Sequence, residues 1–189
     1  MSFYDDPDNV KSYLKMCEGY DGNNIYHMLS QHLREQSTVL ELGSGGGLDI
    51  DYLKQHYAVT GSDLSEAFIA VCQQKHPEIN FLKINAQSMD LNQSFDCIYS
   101  NKVLHHLSED ELQISLQQQI KCLNTNGIIA HSFWLGEENT QMHGMLFTYY
   151  RKQALLNIMS ESFEIISTLS YTEFEADDSL FIIARMNNC

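Results

Sequence analysis

Basic residues are scarce in this chain: 11 lysines and arginines stand against 25 aspartates and glutamates, a formal net charge of −14. Such a balance opposes loose attachment to phosphate backbones or anionic lipid, so neither nucleic acid nor a membrane is the expected partner. Long apolar runs are also lacking, and no segment approaches membrane-spanning length. The opening Met1-Ser2-Phe3-Tyr4-Asp5-Asp6 has no basic region followed by an apolar stretch, as a secretory signal requires. There is no Cys-x-x-Cys pair; Cys17, Cys72, Cys97, Cys122 and Cys189 are scattered and odd in number, which fits a reduced compartment. These absences lead to the expectation of a mature, soluble, cytoplasmic chain. Proline is limited to Pro7 and Pro77, and no repeat, low-complexity tract or linker divides the sequence. One domain over residues 1–189 is expected.

What is present is an ordinary globular composition, 43% hydrophobic and 19% charged, on a chain long enough to bury a core without disulfides or metal. Two helices are predicted near 8–18 and 23–35, separated by Gly19-Tyr20-Asp21-Gly22; Ile25, Met28, Leu29 and Leu33 give the second an apolar stripe. From Thr38 onward, short apolar runs alternate with amphipathic stretches, the pattern of a parallel sheet with helical crossovers. Strands are predicted at 38–43, 57–62, 79–84, 95–100 and 127–133, and helices at 46–55, 65–75 and 108–123. Ser65 is placed to cap the second of these helices, and Ser108 with Glu111 forms a capping box for the third. A helix near 151–160 and two strands at 163–171 and 179–185, joined by a short polar link, complete the sheet with an antiparallel hairpin.

The first strand-to-helix turn, Val39-Leu40-Glu41-Leu42-Gly43-Ser44-Gly45-Gly46-Gly47, carries the most chemistry. Its glycines allow a ligand close to the backbone, the following helix offers unpaired N–H groups, and Glu41 adds a carboxylate that can meet a cation. A zwitterionic ligand suits that combination. Gly-x-Gly-x-x-Gly would need glycine at Leu48, which lowers the case for a dinucleotide, and no Gly-Lys-Ser/Thr supports a phosphate loop. Asp63, at the end of the second strand, either accepts both hydroxyls of a ribose or only caps the next helix; its company with Glu41 and the glycines favours the ribose.

Glu41-x-Gly43-x-Gly45, Gly61-Ser62-Asp63, Asn85-Ala86-Gln87, Phe95-Asp96-Cys97-Ile98-Tyr99-Ser100-Asn101 and Leu104-His105-His106-Leu107 occur in an order that resembles the class I S-adenosylmethionine-dependent methyltransferases, small single-domain bacterial-type members included. Leu123-Asn124-Thr125-Asn126-Gly127 resembles the family's turn before the fifth strand, with Asn126 in place of the usual proline. The resemblance implies an α/β, Rossmann-like fold: a mostly parallel seven-stranded sheet, a C-terminal antiparallel hairpin, and helices on both faces. It implies a helical cap over residues 1–36, a cofactor-binding half over 37–134, and a substrate-side segment with the hairpin over 135–189.

By the same resemblance, Glu41, Gly43, Ser44 and Gly45 line the amino-acid part of S-adenosylmethionine, Asp63 takes the ribose, and Leu64 packs on adenine. Asn85, Ala86 and Gln87 border the adenine amine, Asn85 standing where many relatives have Asp. Ser100 and Asn101 lie near the transferred methyl, with strand termination as their plainer use. Tyr13 or Tyr20, from the N-terminal segment, closes the site or belongs to an ordinary packing helix.

For the acceptor, Trp134, His143, Tyr150 and Arg151 are candidate contacts, with packing an equal alternative for Trp134, Tyr150 and Arg151. His105 and His131 are candidate general bases, since imidazole titrates near neutrality; His106 is taken as structural. Adjacent histidines point apart on a helix, so no metal is expected. The reaction implied is an in-line displacement that yields S-adenosylhomocysteine, with a small-molecule acceptor favoured by the acidic surface and the lack of an inserted domain. The rival readings are a non-catalytic cofactor-binding module or partner subunit and a nucleotide-linked oxidoreductase.

Overall fold

The computed structural model describes residues 3–187; Met1, Ser2 and Cys189, used above, lie outside that range. After a short turn at Phe3–Asp5, helix α1 (Pro7–Met16) has Asp6 as its N-cap, and α2 (Asn23–His32) follows the Gly19–Gly22 loop. The core then alternates: β1 (Thr38–Leu42), α3 (Ile50–His56), β2 (Ala58–Asp63), α4 (Glu66–Lys75), β3 (Asn80–Lys83), β4 (Phe95–Asn101), α5 (Glu109–Lys121) and β5 (Leu123–Trp134). A small hairpin, β6 (Thr140–Met142) with β7 (Met145–Phe147), precedes α6 (Lys152–Ser160), β8 (Phe163–Tyr171) and β9 (Ser179–Met186).

The main sheet has seven strands in the order β3-β2-β1-β4-β5-β9-β8. β1 to β5 run parallel, while β9 pairs antiparallel with both β5 and β8, as expected of a C-terminal hairpin. Strand order reverses between β2-β1 and β4, so the β1 and β4 ends open a crevice at the carboxyl edge, the usual ligand position in such sheets.

Period-two alternation assigns each strand residue to one of two cores. Leu40, Leu42, Ile98, Ile129 and Phe133 pack with Leu112 and Leu116 of α5 and Leu155 and Met159 of α6. Val39, Cys97, Tyr99, Ile128 and Ala130 face the other way, onto Ile25, Met28 and Leu29 of α2 and Leu53 of α3. The helices therefore cover both faces. Glu41, Tyr99 and Asn101 share their parity with Val39 and Cys97, so they fall on the face of α2 and α3.

The caps hold as predicted: Ser65 accepts from the Phe68 N–H, and Ser108 with Glu111 makes a reciprocal capping box, worth about 1 kcal/mol. Three sequence expectations need correction. The helix predicted at 46–55 starts only at Ile50, because Gly47 has φ +69°, a left-handed conformation that cannot continue a right-handed helix. The turn expected at 123–127 is absorbed into β5 as an irregularity, with Asn126 at φ +64° and pairing that moves from Phe95↔Leu123 to Cys97↔Ile128. The β6–β7 hairpin was not foreseen; its three-residue strands are too short to show a period.

Gly61 holds β2 against the glycine turn. A Cβ there would lie 2.3 Å from Phe81 Cε1 and 2.9 Å from Ser44 Oγ. Gly61→Ala is expected to cost about 1–3 kcal/mol in urea denaturation. With Phe81→Leu the loss should be smaller than the sum of the two single changes; strict additivity would show that this contact is not the cause.

Candidate active site

The carboxyl ends of β1, β2 and β4 bring the predicted cofactor residues together. Gly43 turns the chain at φ +71°, and a side chain there would collide with Val103 at 2.5 Å. The Ser44 N–H donates to the Ser62 carbonyl at 2.7 Å, while Ser44 Oγ accepts from the Ser62 N–H at 3.1 Å. This double clamp ties the turn to β2. Asp63 accepts from the Gly45 N–H and the Ser65 N–H, both at 2.9 Å, so its carboxylate serves the turn as well as the start of α4. Burial raises its pKa, against these backbone donors. Each carboxylate oxygen keeps a lone pair for a diol.

Next to Asp63, Leu64 is 56% exposed, an apolar side chain set out at the crevice. Asn85 is exposed and its Oδ1 accepts from the Gln87 N–H at 2.9 Å, which shapes the turn that carries Ala86 and Gln87. Tyr13 lies over Gly45, 3.5 Å from where a Cβ would be, edge-on to Tyr4 and Phe68. Tyr20 reaches in from the α1–α2 loop to within 2.5 Å of Asn101 Nδ2.

Glu41 is 2% exposed, and its Oε2 has no hydrogen-bond partner. Burial pushes its pKa above the usual carboxylate range, the charge of Asp49 adds to the rise, and a hydrogen bond from Ser44 opposes it. Asp49 gives no sign of a site role in the sequence, because it falls inside the helix predicted at 46–55, whereas the structure sets it at the N-cap of α3. It is buried, with Tyr26 Oη at 2.6 Å, Tyr20 Oη at 3.3 Å and Asn101 Nδ2 at 3.1 Å donating to it. Its pKa is also raised by burial. Asn101 completes the set by accepting from Ser132 Oγ at 2.6 Å. Ser100, by contrast, is fully buried and points to the opposite face, its Oγ 2.8 Å from His131 Nδ1.

Beyond β5 the residues form an aromatic stack. His105 lies flat on Trp134, with centroids 4.4 Å apart and planes at 10°, and Tyr149 stacks on Trp134 at 5.8 Å. Lys102, which also gives no sign of a site role in the sequence, sits behind this stack with φ +57° and its Nζ 5.3 Å from the Trp134 centroid and 5.2 Å from that of Tyr171. The ammonium donates to Ser179 Oγ at 2.7 Å and pairs with Glu173 at 2.8 Å; Glu173 also accepts from Trp134 Nε1 at 2.8 Å. Burial draws the Lys102 pKa down to about 8, with Glu173 pulling the other way. A cleft of about 260 Å³ opens between Tyr20, Asp21, Asn101, Tyr171 and Glu173.

Several acceptor-side expectations are corrected. His131 is fully buried, with Nδ1 bonded to Ser100 and Nε2 to Gln119 at 2.7 Å, and burial draws its pKa down to about 3. It is a cross-brace between β4, β5 and α5, out of reach of a substrate. Tyr150 is a core residue, edge-on to Phe133. Arg151 is exposed and ion-paired with Glu137. His143, at the β6–β7 tip, stacks on Phe3 with centroids 4.5 Å apart, away from the cleft. His105 keeps a buried Nδ1 without a partner, and burial, then His106 and Lys102, hold its pKa well below the usual histidine value. His106 Nδ1 donates to the Leu146 carbonyl at 2.9 Å, a structural role. Among the described residues no cluster of three or more His, Cys, Asp or Glu could hold a metal ion, and no helix is long and apolar enough to cross a membrane.

Comparison with known proteins bears on the fold. A family model described as a methyltransferase domain matches residues 39–127. The ubiquinone biosynthesis O-methyltransferase of Coxiella burnetii is 39% identical over 83 residues, 40% of this chain and 35% of that protein. The chain thus spans about a third of the length of that curated relative. Among solved structures, Burkholderia thailandensis 1,6-didemethyltoxoflavin-N1-methyltransferase, with bound 1,6-didemethyltoxoflavin and S-adenosylhomocysteine, superposes with TM-score 0.79 at 21% identity over 96% of this chain and 86% of its own. A TehB-like SAM-dependent methyltransferase from Corynebacterium glutamicum gives TM-score 0.78 at 17% identity, over 96% of this chain and all of its own. At such identities the structural likeness establishes the fold.

The His131 brace has a pH signature. A histidine kept neutral by folding contributes stability that is present above its unfolded value, near 6.5, and is lost as pH falls toward about 3. His131→Gln is expected to lower stability at neutral pH by about 1–3 kcal/mol while flattening the acid limb of a urea-denaturation series. An acid limb as steep as in the unaltered chain would refute the assignment.

Proposed function

Because the chain carries the class I S-adenosylmethionine-dependent methyltransferase fold, we propose that it is an enzyme that transfers a methyl group from S-adenosylmethionine to a small-molecule acceptor, with S-adenosylhomocysteine as product. The observation that carries this reading is the unpartnered, buried Glu41 oxygen beside a glycine turn and across from Asp63. A buried acid without a partner is costly unless a ligand supplies one. The cofactor brings an ammonium for Glu41, a diol for Asp63 and a flat base for the exposed Leu64.

In this reading residues 37–134 hold the cofactor: Gly43, Ser44 and Gly45 admit its amino-acid end to the backbone, and Asn85, Ala86 and Gln87 border the base. When bound, the cofactor supplies a methyl group on a positively charged sulfur, already activated toward nucleophiles. The chain's own work is then to orient and to exclude water. Asn101 sits where the α1–α2 loop meets β4, and Tyr20 and Tyr13 from the 1–36 cap cover the turn from outside. His105, the other candidate base, is 1% exposed and stacked on Trp134, and burial holds its pKa well below the usual histidine value, so it does not take a proton at neutral pH and catalysis relies on alignment and desolvation instead. The 135–189 segment frames the acceptor side through Tyr171 and Glu173. A cleft of about 260 Å³ falls just below the usual range for ligand sites, about 300–1,000 Å³, and suits nothing larger than a small metabolite.

Calorimetry should show S-adenosylmethionine binding with no affinity for NAD, and Asp63→Ala should weaken it by about tenfold or more. An acceptor panel scored by S-adenosylhomocysteine formation then identifies the substrate. NAD binding without S-adenosylmethionine binding would overturn the proposal; cofactor binding with no turnover across the panel would leave a binding module in place of an enzyme.

A further inference from the structure

Asp49 stands at the N-cap of α3 but makes no side-chain capping hydrogen bond. Its carboxylate turns inward, where hydroxyls from Tyr26 and Tyr20 and the amide of Asn101 hold it, at the cost of leaving the helix start uncapped. Beside it lies Glu41, more than nine-tenths buried and with Oε2 unpartnered. Neither acid joins any ion pair among the described residues. The groups that face Glu41 are Asp49 and Asp63, Ser44 from the turn, Cys72 from α4 and Tyr99 of β4. Those that face Asp49 are Tyr26 of α2, Tyr20 of the α1–α2 loop, Tyr99 and Asn101 of β4, and Tyr171 of β8. Every one is neutral or acidic.

Two ionised carboxylates cannot share such a pocket cheaply. The repulsion is relieved either by a proton that the pair retains or by a cation from outside. We propose that Asp49 and Glu41 act as one carboxyl pair that exchanges a stored proton for the ammonium group of the cofactor's amino-acid end, Asp49 being a second cation-binding residue. The proposal rests on the S-adenosylmethionine reading of the site. Burial raises the pKa of both acids, and lifts that of Glu41 to about 8, the direction that a proton retained on Glu41 requires. The exchange balances: an ammonium carrying one positive charge enters, one proton leaves to solvent, and the pair passes from one negative charge to two.

The arrangement also assigns Tyr20 and Asn101 a positioning role. By donating to Asp49 they link the α1–α2 loop and the end of β4 to the charge of the pair. Loading of the site is thereby coupled to the state of the loop that covers it.

The test is calorimetry of the full chain at pH 7 in two buffers of different ionisation enthalpy, with S-adenosylhomocysteine, which keeps the ammonium, and 5′-methylthioadenosine, which lacks the amino-acid end. S-adenosylhomocysteine binding is expected to release a substantial fraction of about one proton, and 5′-methylthioadenosine binding none. Asp49→Asn should weaken S-adenosylhomocysteine by about tenfold to a hundredfold and leave 5′-methylthioadenosine unchanged. Binding of S-adenosylhomocysteine by the unaltered chain with no net proton release would overturn the proposal while leaving the proposed function intact, and needs no variant. Equal weakening of both ligands by Asp49→Asn would also overturn it. Failure of the unaltered chain to bind either ligand, or S-adenosylmethionine, would remove the functional reading itself.

Discussion

The site depends on one buried carboxylate that three separate elements agree to solvate. Asp49 takes hydroxyl donors from α2 and the α1–α2 loop and an amide donor from the end of β4. Without those donors an acid at that depth would be held neutral or excluded, because burial disfavours its charge. With them, the acid stays next to Glu41, and the helical cap is fastened to the edge of the sheet by polar bonds as well as by the apolar stripe of Ile25, Met28 and Leu29. Packing and polar bonding therefore share the same contacts, and the cap beside the glycine turn is part of the site's electrostatics.

A second polar centre organises the acceptor side in the opposite sense. Lys102 is a half-buried cation flanked by aromatic faces, and Glu173 neutralises it from the β8–β9 loop while also accepting from Trp134. The same loop is tightened by Asp178, which accepts from the N–H groups of Glu173, Phe174 and Glu175. Along the carboxyl edge the charge thus runs from an acid pair lacking a cation to a cation already satisfied. Only the first of these has an unmet demand, and it is the demand that the proposed cofactor ammonium would meet.

Much of this was legible from residue types alone. The seven strands of the main sheet and the six helices follow from periodicity, Ser65 and Ser108 cap where their hydroxyls predict, and the glycine turn with Glu41 and Asp63 converges because parallel strands deliver their carboxyl ends to one edge. The errors are instructive in the same terms. His131 lies near a strand end, where access is expected, but it shares parity with Ile129 and Phe133 and so faces the α5 core with Ser100. The parity was present in the sequence; which parity faced the ligand was not. Tyr150 failed likewise, since an aromatic next to a polar stretch looks the same whether it lines a cleft or fills the core.

The sequence by itself determined the order of elements, the turn that admits a ligand to the backbone, and the carboxylates at its rim, because these depend on local conformational preference and on the period of the strands. Tertiary structure decided which buried polar groups found partners. Asp49 lost its capping role to Tyr26, Tyr20 and Asn101, Lys102 found Glu173 some seventy residues away, and Glu41 was left with an oxygen unpaired. Hydrogen bonds and charges in a low-dielectric interior are settled by proximity in space, and no local rule in the chain encodes which distant donor will arrive.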